Sequence, residues 1–273
     1  MKLATASVSC LIAAMSWMGC GVDSMTAPDP EDESGPVTEV SGHIAASTAW
    51  QDTIHITASV TIDAGATVTV MPGTKIDVTT SKGVAINVLG TLDIQGTKAS
   101  PAVIRPAVAG EFWSDTSIAQ GGTMKASYLV QTGGGISIAA GGKVTLVDTQ
   151  MSHSPGDFLV MSGGTLDMSY SQIGVELGQR DTTHCDLHVA GPVTLKVTHS
   201  NISTSVFGIM FYGGINADFT YDNWFGNGTD IELAETPVKG DFSHGYFAKG
   251  APVGNGITAT NLATARLTDA GVR

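Results

Sequence analysis

From Val37 onward, short runs of alternating apolar and polar residues follow one another, and glycine residues interrupt them. Alternation with a period of two residues is the pattern of a β-strand with one buried face. No part of this region sustains a helical period of 3.6 residues over a dozen residues. The pattern therefore predicts an all-β fold made of many short strands.

The second half of the chain contains a repeat. Five octapeptides align without gaps, and they span residues 144–151, 166–173, 195–202, 217–224 and 240–247. Their first residues are 22, 29, 22 and 23 positions apart. A period of about 22 residues per coil suits a three-sided solenoid, in which stacked coils bury the apolar side that no coil can bury alone.

The alignment also predicts which side chains lie above one another. The inward columns are Val144, Leu166, Leu195, Ala217 and Gly240; Leu146, Met168, Val197, Phe219 and Phe242; and Met151, Ile173, Ile202, Trp224 and Phe247. A small polar column is expected inside the turn, formed by Thr149, Ser171, Ser200, Asp222 and Gly245. Residues 37–250 would give roughly ten coils and a rod about 45–50 Å long.

A local signature in the first half points to a known family. The segment 60–76 reads VTIDAGATVTVMPGTKI and continues as INVLGTLDIQG over 86–96 and PAVI over 101–104. This resembles the opening coils of right-handed parallel β-helix proteins of the pectin-lyase-like superfamily. The resemblance implies a single-stranded right-handed parallel β-helix, and a two-sheet sandwich is the alternative fold.

The first residues read as an export signal. Lys2 precedes an uncharged, mainly apolar stretch that ends at Gly19-Cys20, which is typical of a secretory signal peptide. The ending resembles the lipobox of bacterial lipoproteins, which implies that Cys20 becomes the lipidated first residue and that Gly21 directs the protein to the outer membrane. The expected organisation is a signal peptide over 1–19, an acidic Pro-rich tether over 20–36, a β-helix over 37–250 and a C-terminal cap over 251–273.

Charge excludes some partners. The net charge is −12, and only 13 of 273 residues are Lys or Arg. Nucleic acid, which needs a basic surface, is therefore not expected as a partner, nor is direct contact with an anionic membrane. Membrane contact is expected through the lipid alone. Cys10, Cys20 and Cys185 leave no cysteine pair inside the β-helix.

The first candidate site is a stripe at one corner of the coils. It contains Asp148, Tyr170, His199, Tyr221 and His244, beside a column of Gln150, Gln172, Asn201, Asn223 and Tyr246. Sugars bind through aromatic ring faces and through amide groups. The stripe is thus a candidate for contact with a glycan, and a ladder that stiffens the turns is the structural alternative.

The second candidate is an outward strand column with Asp167, Lys196, Asp218 and Asp241. Asp218 and Asp241 fall on adjacent coils, with backbones about 4.8 Å apart. Paired carboxylates can act on a glycosidic bond or hold Ca²⁺. The column lacks the Asp-Asp pair of β-helix hydrolases. A solvated charge ladder is the simpler interpretation, and no resident cofactor is expected.

The third candidate follows from the interval of 29 residues. The extra residues map to a loop over 174–186. Its titratable candidates for binding are Glu176, Arg180, Asp181, His184 and Asp186. Insertions in solenoids often carry a binding face. The spacing fits no known zinc pattern, so no metal site is predicted.

These features predict a lipid-anchored protein of the cell envelope. The expected function is a non-catalytic surface module that binds a polysaccharide or another envelope protein. One alternative is a polysaccharide hydrolase or lyase that uses the outward carboxylates. Another is a structural or assembly lipoprotein, or one that is exchanged between cells.

Overall fold

The computed structural model describes residues 35–80, 83–212, 215–233 and 238–273, and these residues form an all-β parallel β-helix. The predicted signal peptide and Cys20 lie outside the described residues. Within them, no helix is long and apolar enough to cross a bilayer. Apart from one isolated bridge between Thr97 and Ser100, the strand pairings among these residues are parallel, which excludes the two-sheet sandwich.

The strands form three walls. Wall A contains ten strands: β2 (Thr48–Trp50), β4 (Thr67–Val70), β7 (Thr91–Gln95), β10 (Thr123–Ser127), β13 (Lys143–Val147), β16 (Thr165–Ser169), β19 (Val193–Thr198), β22 (Ile215–Asp218), β25 (Val238–Asp241) and β27 (Ile257–Thr258). Nine of these strands lie within residues 37–250, close to the roughly ten coils predicted there, and β27 follows them.

Wall B follows wall A along each coil, and wall C completes the coil. Wall B contains β5 (Lys75–Val78), β8 (Ala102–Pro106), β11 (Leu129–Thr132), β14 (Gln150–Ser152), β17 (Gln172–Ile173), β20 (Asn201–Ser203), β23 (Asn223–Phe225) and β26 (Tyr246–Phe247). Wall C contains β6 (Ile86–Val88), β9 (Asp115–Ile118), β12 (Gly135–Ile138), β15 (Leu159–Met161), β18 (Cys185–Val189), β21 (Phe207–Phe211) and β24 (Thr229–Leu233). The long strands β1 (Val37–Ile44) and β3 (Thr53–Ile62) contribute to both walls.

The register confirms the predicted inward columns. Leu166 pairs with Val144 on one side and with Leu195 on the other, and Met168 pairs with Leu146 and Val197 in the same way. These side chains are buried in one continuous core. The repeat therefore predicted the vertical neighbours correctly, because a slip of one residue would turn every apolar side chain of a strand to the solvent face.

In the last coils, large aromatic side chains fill the core space that small residues leave. The rings of Phe219 and Phe242 stack with their centroids 4.9 Å apart. A Cβ atom on Gly240 would lie only 2.6 Å from the Phe242 ring. Glycine at this position therefore provides the space that the aromatic stack occupies.

The predicted polar column is a ladder of hydrogen bonds between coils. The backbone N–H of Thr149 donates to Ser171 Oγ (3.1 Å), and that of Ser171 donates to Ser200 Oγ (3.1 Å). The N–H of Ser200 donates to Asp222 Oδ1 at 2.7 Å. Each side chain thus satisfies a buried N–H of the preceding coil, as buried donors require.

Residues 259–273 turn back along wall B, and we call them the return segment. Just before them, β27 extends wall A by pairing with β25. The N–H of Leu267 donates to Asn223 Oδ1 at 2.8 Å, and the N–H of Gly271 donates to the carbonyl of His199 at 2.8 Å. The part of the chain that was expected to cap the last coil therefore also covers the outside of earlier coils.

Candidate functional site

The predicted corner stripe lies where wall A turns into wall B. Tyr170, His199, Tyr221 and His244 each have a positive φ, between 50° and 64°. This left-handed conformation is uncommon for residues other than glycine and costs about 1–2 kcal/mol per residue. Such conformations persist where the surroundings enforce them, and they cluster at functional sites.

The four side chains form a continuous stack, which we call the ring ladder. The centroids of Tyr170 and His199 are 5.1 Å apart, those of His199 and Tyr221 are 4.9 Å apart, and those of Tyr221 and His244 are 4.7 Å apart. The last two ring pairs are parallel within 6°. The left-handed corner thus points every ring in the same direction, one per coil.

Stacking determines which surfaces of the rings are accessible. The faces inside the ladder contact the neighbouring rings, and the guanidinium carbon of Arg273 lies 3.7 Å from the centroid of Tyr170. Tyr221 is the most exposed ring, at 40%. The ladder therefore presents ring edges and polar atoms to solvent, whereas the sequence-based hypothesis had sugars binding on ring faces.

The neighbouring amide column is covered. Asn201 and Asn223 are 3% and 1% exposed, although the glycan hypothesis placed their amides on the surface. The amide of Asn223 donates to Asn201 Oδ1 (2.9 Å) and to the carbonyl of Leu267 (2.9 Å). These two amides support the return segment, so in this arrangement they are not available to a glycan.

The outward carboxylates lie on wall A as the alternation predicts. Asp218 is in register with Lys196 on one side and Asp241 on the other, and Lys196 is in register with Asp167. Oδ1 of Asp218 accepts hydrogen bonds from the N–H and the hydroxyl of Thr220 (3.1 and 2.8 Å). The column alternates in charge except at its last two acids.

The residues of the loop predicted over 174–186 have different partners, and Asp186 lies in β18 rather than in a loop. Glu176 forms an ion pair with Arg266 of the return segment (3.2 Å), and Arg180 is exposed. Oδ1 of Asp181 accepts the backbone N–H groups of His153, Thr182 and Thr183. Asp186 is fully buried and accepts the hydroxyl of Ser205 (3.0 Å).

One mixed cluster of donors forms where this loop enters wall C, and we call it the Asp157 cluster. It contains Asp157, His184, Cys185 and His188. Nδ1 of His184 is 3.0 Å from Asp157 Oδ1 and 3.2 Å from Cys185 Sγ. Nδ1 of His188 is 2.7 Å from Asp157 Oδ2 but has no hydrogen bond of acceptable geometry.

Burial and charge set the protonation of this cluster. Burial, the hydrogen bond with Asp157 and the charge of Asp157 raise the pKa of the Cys185 thiol well above its usual value. Burial alone would raise the pKa of Asp157, but hydrogen bonds with Cys185 and His184 and the nearby His188 lower it overall. The cluster therefore holds an ionised carboxylate beside a protonated thiol.

Sequence reasoning missed Asp157 and His188. Asp157 lies 28 residues before Cys185, and the register of Leu159 with Leu187 places Asp157 at the same position one coil earlier. The repeat alignment covered only walls A and B. An alignment extended to wall C, across the long loop, would have placed Asp157 directly beside Cys185.

The comparisons with known proteins found no relatives. No protein-family model matches the chain, and neither a curated protein nor a solved structure matches it.

Proposed function

We propose that the protein is a non-catalytic binding module of a bacterial cell envelope, and that its ring ladder holds a neutral polysaccharide. The observation that carries this proposal is the unbroken row of ring edges, with centroids 4.7–5.1 Å apart, along one corner of the β-helix. This repeat is comparable to the length of one sugar unit in an extended chain.

The chemistry of the ladder suits sugar hydroxyl groups. Aromatic ring edges carry partial positive charge, so they face the lone pairs of sugar oxygens favourably. The hydroxyls of Tyr170 and Tyr221 can both donate and accept hydrogen bonds, and the imidazoles of His199 and His244 add nitrogen atoms. A neutral polymer is favoured over an anionic one because the protein has a net charge of −12.

The scaffold supports binding because it is already ordered. Each ring is fixed by its corner backbone and by its stacked neighbours. Little conformational entropy is then lost when a ligand binds, and this favours affinity for a given set of contacts.

The test is binding to a panel of neutral polysaccharides. We expect Tyr221→Ala to abolish binding and the double variant Tyr170→Phe/Tyr221→Phe, which keeps the rings, to weaken it. Tyr212→Phe is the matched control, because Tyr212 is similarly exposed but lies next to wall C. Binding by Tyr221→Ala at wild-type strength would refute the proposal.

Other outcomes identify the alternatives. Cleavage of a polysaccharide by the wild type but not by Asp218→Asn would establish the hydrolase or lyase. Binding of an envelope protein through Tyr221, without any binding of glycan, would establish the protein-binding function instead.

We also infer that the protein is a lipoprotein anchored to the outer membrane through Cys20. The support is the motif Gly19-Cys20 after an uncharged stretch, followed by the acidic segment 20–36 as a tether. Incorporation of labelled fatty acid that is lost in Cys20→Ser would agree with this.

Two observations support right-handed winding of the pectin-lyase-like type: the motifs of residues 60–104 and the strong right-handed preference of parallel crossovers.

A further inference from the structure

The Asp157 cluster brings together the donor types that bind transition metals. One carboxylate oxygen, one thiol sulfur and one imidazole nitrogen, from Asp157, Cys185 and His188, all lie within 4.8 Å of one another. We propose that this cluster is a binding site for a divalent transition-metal ion, best suited to Zn²⁺. The site lies at the turn from wall B to wall C and on wall C, so it is independent of the ring ladder.

The distances are close to those of a metal site. Zinc bonds of about 2.0–2.3 Å place the donors of a tetrahedral site roughly 3.2–3.7 Å apart. Among the four residues, the separations of 2.7 and 3.0 Å are shorter than this, and the separation of 3.2 Å lies at the lower end of the range. Small side-chain rotations would open the cluster enough for an ion. His184 lies beside these donors with its side chain half exposed, and the remaining coordination position would be open to solvent.

An unsatisfied atom points to the same position. Nδ1 of His188 is buried and has no hydrogen-bond partner, although Asp157 Oδ2 is only 2.7 Å away. Because Nδ1 makes no aligned hydrogen bond with the Asp157 carboxylate, it can still donate its lone pair to an ion or, if protonated, a hydrogen bond to an acceptor. Coordination of an ion by both groups would satisfy each of them.

Neighbouring coils hold the ligands in place. The ring of Tyr212 stacks on His188 with centroids 4.8 Å apart, and the edge of Phe207 meets His184 at 5.2 Å. Asp157 approaches from the preceding coil, and its Oδ1 accepts the backbone N–H of Cys185 at 3.1 Å. Three successive coils therefore fix the donors, and such support by surrounding residues strengthens metal sites.

The donor set determines the class of ion. Ca²⁺ and Mg²⁺ prefer shells made entirely of oxygen, whereas a set of sulfur, nitrogen and oxygen suits Zn²⁺ and its neighbours. On binding, the metal–sulfur bond forms, the S–H bond of Cys185 breaks, and the proton leaves to solvent. The metal stays divalent throughout, so no oxidant or reductant is required.

The experiment is Co²⁺ titration of the full chain under reducing conditions, followed by absorption spectroscopy and displacement with Zn²⁺. Co²⁺ bound by a thiolate gives a near-ultraviolet charge-transfer band. We expect this band in the wild type and in Cys20→Ser, with loss in Cys185→Ser. His188→Ala should weaken binding at least about tenfold, whereas the control His43→Ala, at an exposed position of β1, should not change it.

Several results would overturn the proposal. These are the absence of the band in the folded wild-type protein, a band that persists in Cys185→Ser, or equal weakening by His188→Ala and His43→Ala. Far-ultraviolet circular dichroism checks that each variant is folded. If Cys185→Ser does not fold, the comparison of the two histidine variants decides the question.

Discussion

Arg273 binds the carboxylate of Asp148 in a bidentate ion pair, although 125 residues separate them in the sequence. Nε of Arg273 is 3.0 Å from Oδ1, and Nη2 is 2.8 Å from Oδ2. The side chain of Asp148 is only 2% exposed, so Arg273 provides its charge compensation. The pair fixes the end of the return segment beside the ring ladder.

We predict that Arg273→Ala releases the return segment. Loss of the partner of a buried carboxylate should lower the free energy of unfolding by about 1–3 kcal/mol. Hydrogen exchange should increase at the amide of Leu267, which bonds to Asn223 of wall B, and at the amide of Gly271, which bonds to the corner residue His199. Arg180→Ala, at an exposed loop position, is the control. Unchanged exchange in Arg273→Ala would contradict the prediction.

At Tyr221, we predict an unusual order of substitutions. Tyr221→Ala and Tyr221→Gly both remove the ring from the stack, but φ is 64° at this position. Alanine keeps the left-handed strain, whereas glycine relieves about 1 kcal/mol of it. Chemical denaturation should therefore show Tyr221→Gly to be the more stable of the two. The reverse order would show that the corner backbone relaxes once the ring is gone.

Gly240→Ala is predicted to destabilise the last coils. The added Cβ would lie 2.6 Å from the Phe242 ring, and that ring is held in place by its stack on Phe219. Overpacking of this kind costs about 1–3 kcal/mol, measurable by thermal or chemical unfolding. Gly156→Ala serves as the control, since no atom lies within 4 Å of its added Cβ and its φ is not positive. A neutral Gly240→Ala would mean that the stack can shift.

Asp222 should give the stability of the protein a dependence on pH. Burial raises the pKa of this carboxyl well above its usual value, the N–H of Ser200 opposes the shift, and the charge of Asp218 adds to it. Asp222 therefore stays protonated in the folded state at pH values at which it is already ionised in the unfolded state. The contribution to stability is complete below the unfolded pKa and is lost as pH rises through the folded pKa.

The measurement is denaturant unfolding of Asp222→Asn and wild type across a pH series. The asparagine keeps an oxygen that can accept the Ser200 N–H but does not ionise. Its stability relative to wild type should therefore increase as pH rises. A difference between Asp222→Asn and wild type that stays constant with pH would contradict the assignment of a buried neutral Asp222.

Much of the fold could be predicted from the sequence because each coil repeats the same local pattern of apolar and polar residues. Met168, Val197 and Phe219 recur at matching positions of the repeat, and alternation excludes a one-residue slip that would expose them. The hydrogen-bonded column from Thr149 to Asp222 was predictable for the same reason. Periodicity thus determines both the architecture and the vertical neighbours.

The candidate sites were less predictable because they depend on contacts that no period describes. The repeat predicts that Tyr170, His199, Tyr221 and His244 lie in one column. It does not show that their faces are stacked and covered, because side-chain direction at a corner depends on a left-handed backbone.

The sequence by itself determined the solenoid, its register and the composition of its core, since strand alternation and coil period are local properties. The tertiary structure alone decided that residues 259–273 cover the amides of wall B and that the carboxylate of Asp157 reaches His188 as well as its vertical neighbour Cys185. These contacts join positions of different coils through an aperiodic loop and a returning segment. The free energy of these contacts depends on which particular side chains meet in the folded protein. A periodic pattern along the chain does not specify those pairs.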